Sequence, residues 1–262
     1  MVRTSSLDQS WSRAMPARMV RELLICGVLG PIIDAYAHRE IVGLEHLEDL
    51  DGPVIFVANH CSHVDTPTLL RSLPARWRRR TAVAAAADYF YTSRLLAGAV
   101  SLAFCTVPLE RTARRTGVDA IAHVERLIDS RWNLVVFAEG TRSRDGRVGL
   151  MRSGAALLAA QHALPIVPVQ IAGTLAAMPP GRRWIVRPEG GGRWARRTIT
   201  VRFGAPIHVG RHDDRLEVME QVRTFMEAGG AVTTPDPKLA ARRAAAAARA
   251  ASPASTRPSP HD

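Results

Sequence analysis

Six short strand-like runs punctuate the chain, at residues 54–58, 81–85, 105–109, 134–137, 166–171 and 198–203, each only four to six residues long. Runs of that length bounded by turn residues suit buried strands, because a helix needs ten or more residues to show its 3.6-residue period. Between them lie stretches with helical periodicity, at about 93–100, 118–128, 153–161 and 214–227. Another follows residue 65, with Pro67 in its first turn and Leu69, Leu70 and Leu73 on one face. Asp213 or Asp214 caps the 214–227 helix and Gly229-Gly230 ends it. This alternation predicts an α/β fold in which helices pack against a sheet.

With 262 residues, 47% of them hydrophobic, the chain can bury one large domain or two small ones, so disorder throughout is excluded. Cys26, Cys61 and Cys105 are too widely spaced for a disulfide framework or a zinc pair, which points to a reducing compartment. The longest charge-free runs, residues 23–33 and 95–109, are shorter than a spanning helix needs. The net charge of +11 comes from 34 Arg and a single Lys in a chain rich in Ala, Gly and Pro, a bias that a GC-rich coding sequence produces. What remains is affinity for polyanions such as phosphate esters or anionic lipid. Aromatics interleave with basic residues only at Trp77 within 76–80 and Trp194 within 193–197, so no nucleic-acid partner is expected.

Three regions are expected. Residues 1–39 comprise a polar leader without a signal-peptide pattern and a mostly apolar helical segment at 19–36, broken by Gly27, Gly30 and Pro31. That segment suits either a helix packed on the domain or one lying in a lipid interface. Residues 40–237 form the main domain, and 238–262 an Ala/Arg helix running into a disordered tail.

Chemistry-bearing residues gather at two strand ends. After the first run comes Asn59-His60-Cys61-Ser62-His63-Val64-Asp65. Five residues on one helix would separate His60 and Asp65 by about 140°, so they meet only if His60 is in the loop and Asp65 in the first helical turn. There Asp65 can hold one ring nitrogen of His60 and leave the other as a general base. A structural His with a helix-capping Asp competes with this reading, as does a metal site using His60, His63 and Asp65, although the His spacing and Thr66 fit metal ligation poorly. Cys61 is a weak nucleophile candidate with no second base in view. The second cluster, Phe137-Ala138-Glu139-Gly140-Thr141-Arg142-Ser143-Arg144, suits phosphate binding through backbone N–H groups and guanidinium, or a solvated turn.

Two further stretches, Val107-Pro108-Leu109-Glu110-Arg111 and Leu164-Pro165-Ile166-Val167-Pro168-Val169, complete an ordered set of four. In order and spacing the set resembles the motifs of the phospholipid/glycerol acyltransferase family, which includes the bacterial 1-acylglycerol-3-phosphate O-acyltransferases, over residues 43–207. The resemblance implies a mixed, largely parallel sheet flanked by helices, with a membrane-facing N-terminal helical segment. His60 would be the general base and Asp65 its orienting partner. Arg111, Glu139, Gly140, Thr141 and Arg142 would bind the acceptor phosphate, and Pro168 would help place the acyl chain or substrate. The implied reaction moves an acyl group from acyl-CoA or acyl carrier protein to a lysophospholipid, with lysophosphatidic acid preferred over glycerol 3-phosphate or an amino lipid, and needs no cofactor or metal. The expected location is peripheral, on an anionic membrane surface at the cytoplasmic side. Two positions depart from the pattern: Cys105 stands where Gly is usual, and Ala138 where Pro is usual.

Overall fold

The computed structural model describes residues 10–86, 94–109 and 118–251. Its strands are β1 (Ala37–Val42), β2 (Ile55–Ala58), β3 (Thr81–Ala86), β4 (Thr106–Leu109), β5 (Asn133–Phe137), β6 (Ile166–Ala172) and β7 (Arg197–Phe203). They form one sheet in the order β1-β7-β6-β2-β5-β3-β4. β2 to β6 run parallel, β7 pairs antiparallel with β6, and β1 pairs parallel with β7. The sheet is therefore mixed and largely parallel, as the motif pattern implies.

The unbroken apolar runs are explained by cover on both faces. Ile55 and Val57 of β2 face the helices at Val118–Asp129, Gly154–His162 and Arg215–Ala228 through Val124, Ala156, Val222 and Met226. Phe56 and Ala58 face the opposite layer, built from Leu69, Leu70, Leu73, Trp77 and Ile25. Phe56 meets the Trp77 and Phe203 rings edge-on at 6.0 and 6.3 Å.

β1 has no counterpart in the sequence reading, and the expected boundary at residue 40 falls inside it. It is an edge strand in which Ala37 alone is buried; His38, Glu40, Ile41 and Val42 are exposed while Arg39 turns back to pair with Asp34, so no apolar run marks it. The N-terminal segment differs too. It stays helical from Met15 to Tyr36, with wide π turns at Leu24–Leu29 joining α1 (Met15–Leu23) to α2 (Gly30–Tyr36). The wider turns, with Gly30 N–H donating to Ile25 C=O, absorb the interruption that Pro31 would impose on a regular helix.

This helix docks through Ala17, Ile25 and Ile33 and, among them, through polar groups. The buried Arg21 guanidinium donates to the Ser12 and Ser101 carbonyls at 2.7 and 3.1 Å, and Glu22 pairs with Arg78. That pairing holds the Glu22 carboxyl below its usual range, whereas burial lowers Arg21. The outward side is apolar as well: Trp11, Met15, Met19 and Leu23, four residues apart, are all exposed, with Leu23 at 67%.

Cys105 lies at the start of β4 with φ +51°, a left-handed backbone that suits the family's usual Gly. Its side chain is fully buried, and it sits at the sheet end remote from the clusters that follow β2 and β5, so this departure concerns packing. Ala138 donates its N–H to Ala58 C=O at 3.0 Å, a bond no Pro could make.

The expected tail at residues 252–262 lies outside the described residues. Asp214 caps the Arg215–Ala228 helix by accepting from Leu216 N–H at 2.9 Å, and the Pro237–Ala251 helix is mostly solvated. Leu239 is nevertheless buried, and Arg242 and Arg243 pair with Asp214 and Glu217. Leu239→Ala is expected to cost about 2 kcal/mol in urea unfolding, the low end for an emptied leucine site. Arg243→Ala should leave the midpoint in place, because exposed ion pairs contribute little.

Candidate active site

β2, β5 and β6 end side by side, and the loops leaving them converge. His60 lies in the loop after β2 and Asp65 opens the helix α3 (Asp65–Ser72), with Pro67 in its first turn, as the spacing required. One oxygen of the fully buried Asp65, Oδ2, accepts three hydrogen bonds: from His60 Nδ1 at 2.8 Å, Cys61 N–H at 2.7 Å and Ser62 N–H at 2.8 Å. The His60 proton therefore sits on Nδ1, which leaves the Nε2 lone pair to act as a base. The imidazole stacks on Phe137 at 4.0 Å between centroids, and its side chain keeps 18% exposure, enough to be reached.

Two buried polar side chains hold this loop in place. Asn59 bonds β6 in both directions, donating to Ile171 C=O at 2.9 Å and accepting from Ile171 N–H at 2.8 Å. Glu139 accepts from His60 N–H at 3.0 Å through one oxygen and from Gly149 N–H at 2.8 Å through the other. Burial raises the Glu139 carboxyl above its usual range, and the two N–H donors oppose that shift. Each oxygen thus accepts from backbone, which suits a local orienting role for Glu139 within the motif rather than direct contact with an anion. Asn59 was visible in the sequence but carried no signal of its task.

The rest of the second cluster is open. Thr141 and Arg142 are exposed beside the His60 loop, to which Ser143 N–H donates at His60 C=O, 2.8 Å. Gly140 has φ +69°, and a Cβ there would lie 3.1 Å from Arg152 Nε, so glycine lets the Arg152 side chain close over this turn. Arg152 is thus a second cationic group at the cluster that the motif comparison did not flag. Arg142 is near enough to lower the His63 imidazole, whose shift comes first from burial.

Other sequence candidates fall elsewhere. Arg111 lies outside the described residues. Pro168 is buried within β6, and its ring packs toward Gly204 on the sheet face opposite Val167 and Val169, which share the α3 layer. It does not meet His60 or Asp65, so any effect on substrate placement passes through the sheet. The Cys61 thiol is pushed up to about 11 by burial, then by the Asp65 charge, and its Sγ lies 3.2 Å from Thr174 Oγ1. A thiol that stays protonated at neutral pH is a poor nucleophile. Among the described residues, no group of three or more His, Cys, Asp and Glu side chains could hold a metal ion.

Nitrogen-15 spectra of the neutral His60 ring are expected to show the proton on Nδ1 alone. Asp65→Asn should yield a mixture of tautomers, because an amide can donate as well as accept; an unchanged spectrum would contradict the assignment.

The Acyltransferase family pattern matches residues 38–172, just over half of the chain and the stretch from β1 to the end of β6. A 1-acyl-sn-glycerol-3-phosphate acyltransferase of Brassica napus, BAT2, chloroplastic, is 34% identical over 149 residues, covering 56% of this chain and 41% of that protein. The Arabidopsis thaliana enzyme LPAT1, chloroplastic, is 31% identical over 175 residues, 66% of this chain and 44% of that protein. The chain thus spans less than half the length of these two relatives. The crystal structure of the 1-acyl-sn-glycerophosphate acyltransferase PlsC from Thermotoga maritima matches with TM-score 0.57 and 22% identity, over 84% of this chain and 83% of that one, which shows a shared fold. A paired His60 and Asp65 at the end of β2, and a family pattern that spans them together with the second cluster, make this chain a member of the Acyltransferase family.

Proposed function

We propose that the protein moves a fatty acyl group from a thioester carrier to the free hydroxyl of lysophosphatidic acid, giving phosphatidic acid. The observation that carries this reading is His60, with Nδ1 committed to Asp65 and Nε2 free beside an exposed arginine loop. Nε2 removes the hydroxyl proton as the oxygen attacks the acyl carbonyl. The new C–O bond forms, the C–S bond breaks, and the imidazolium returns its proton to the departing thiolate. No acyl-enzyme is formed, in keeping with a Cys61 thiol held at about 11.

Arg142, with Thr141 and the Gly140 backbone, is assigned to the acceptor phosphate, and Arg111 joins it from the family motif. A fixed remote charge orients the hydroxyl and turns binding energy into rate. The names of the plant relatives support lysophosphatidic acid as acceptor.

Acceptor and product are both amphiphiles, so the enzyme must meet a lipid surface. Among the described residues no helix is long and apolar enough to cross a membrane. The outward apolar row of Trp11, Met15, Met19 and Leu23 suits shallow insertion instead, with the docked side of the same helix keeping it on the domain. Such contact would place the protein peripherally, and its three free cysteines suit the reducing, cytoplasmic side of the membrane.

His60→Ala is expected to lower kcat by roughly 10² to 10⁴, while His63→Ala stays mild and turnover survives EDTA. Inactivity of His63→Ala together with metal-restored turnover would overturn the mechanism. Arg142→Ala should cut kcat/KM for lysophosphatidic acid by roughly tenfold or more and spare an uncharged monoacylglycerol; equal losses would make that arginine structural. Replacing exposed Met19 and Leu23 together by Glu should shift the protein out of the liposome pellet, and retention there would remove the helix as anchor.

A further inference from the structure

Residues 173–196 join β6 to β7, and because these strands are antiparallel the connection lies at the sheet end that holds His60. It touches the catalytic loop directly. Met178 C=O accepts from Ser62 Oγ at 3.2 Å, and Ile185 is buried with Val64, Ile33 and Ile199.

Its backbone is braced from inside. Val186 N–H donates to Ala177 C=O at 2.8 Å, Arg187 Nη1 to Ala195 C=O at 3.0 Å, and Arg197 Nε and Nη2 to the Val186 and Arg187 carbonyls, each at 3.2 Å. On this frame two indoles stand in solvent, Trp184 at 56% and Trp194 at 79% exposure. Exposed Arg182, Arg183, Arg193 and Arg196 flank them, against one carboxylate, Glu189. The Arg193 guanidinium lies over the Trp194 ring at 5.3 Å.

We infer that this Trp/Arg connection is a second lipid contact, seating its two indoles at the interface of an anionic bilayer beside the mouth of the His60 site. The inference rests on the reading that the acceptor is a membrane lipid. Indoles favour the headgroup boundary, where the ring is buried and the N–H stays wet, and flanking guanidiniums add attraction to anionic lipid. The surface adjoins the N-terminal helix at its last turn, with Arg187 over the Tyr36 ring at 4.6 Å and Arg196 donating to Asp34 C=O at 3.3 Å. An anionic bilayer is the partner that suits a surface of exposed indoles flanked by guanidiniums, and a contact at this sheet end would fix which way the site faces. This segment lies beyond the matched family stretch, which ends at residue 172.

The test uses the full chain and vesicles of phosphatidylcholine with one-third phosphatidylglycerol. Trp184→Ala with Trp194→Ala should weaken vesicle binding by about tenfold or more, with an unchanged thermal melt and unchanged turnover of a short-chain, water-soluble lysophosphatidic acid. Trp184→Phe with Trp194→Phe should keep binding but lose most of the tryptophan emission that brominated lipid quenches. Undiminished vesicle binding by the alanine pair, or undiminished quenching in the phenylalanine pair, overturns the inference. So does binding of an acidic acyl carrier protein, but not vesicles, through these two tryptophans, which would make the surface a donor dock. If the wild type does not acylate the soluble lysophosphatidic acid, the proposed reaction fails while the vesicle data still decide the contact.

Discussion

One carboxylate oxygen organises the end of the sheet that holds His60. Asp65 Oδ2 collects the His60 ring N–H and the Cys61 and Ser62 backbone N–H groups within 2.8 Å. The two backbone bonds curl the loop back onto the start of α3, and the third bond then reaches a ring already brought close. Charge-assisted bonds of this kind are stronger than neutral ones, and burial removes the competing water. Loop shape and imidazole tautomer therefore have the same cause. A change at Asp65 alters both together, so loop shape and ring orientation are inseparable at that residue.

The sheet supplies what the carboxylate cannot, a fixed place for the loop as a whole. Asn59 locks the residue before His60 to β6, while Glu139 locks the His60 backbone to the loop after β5. The three strands are neighbours with β2 in the centre, so His60 is held from both sides. The cationic loop reaches the histidine through Glu139, whose other oxygen holds Gly149. An acidic residue in an arginine-bearing loop thereby makes physical sense: it ties the His60 loop to the cationic loop through backbone N–H groups.

Much of this was legible in the sequence, because strand ends in α/β folds collect function and because Pro67 marks where the helix must start. Strand-like runs located six of the seven strands: burial on both faces leaves a mostly apolar signature in the central ones, and β7 shows the alternation of a half-buried strand. β1 escaped because an edge strand with a solvated face looks polar. The N-terminal helix was half legible: its apolar content was plain, but its direction was not, because Arg21, Glu22 and Arg78 turn the charged side inward and leave Met19 and Leu23 outside. Tasks set by long-range hydrogen bonds were hidden. Neither the hold of Asn59 on a residue 112 positions away nor the turn of Glu139 toward His60 leaves a local pattern.

Direct transfer, with His60 as base and no covalent intermediate, is the claim on which the functional account stands. Rapid mixing of the enzyme with an acyl thioester, first without acceptor and then with lysophosphatidic acid, tests it most directly. The account predicts no stoichiometric thiol release and no acylated protein by mass spectrometry until the acceptor is present, after which thiol and phosphatidic acid appear at the same rate. A burst of one thiol per enzyme with an acyl adduct on the protein in the absence of acceptor would contradict it.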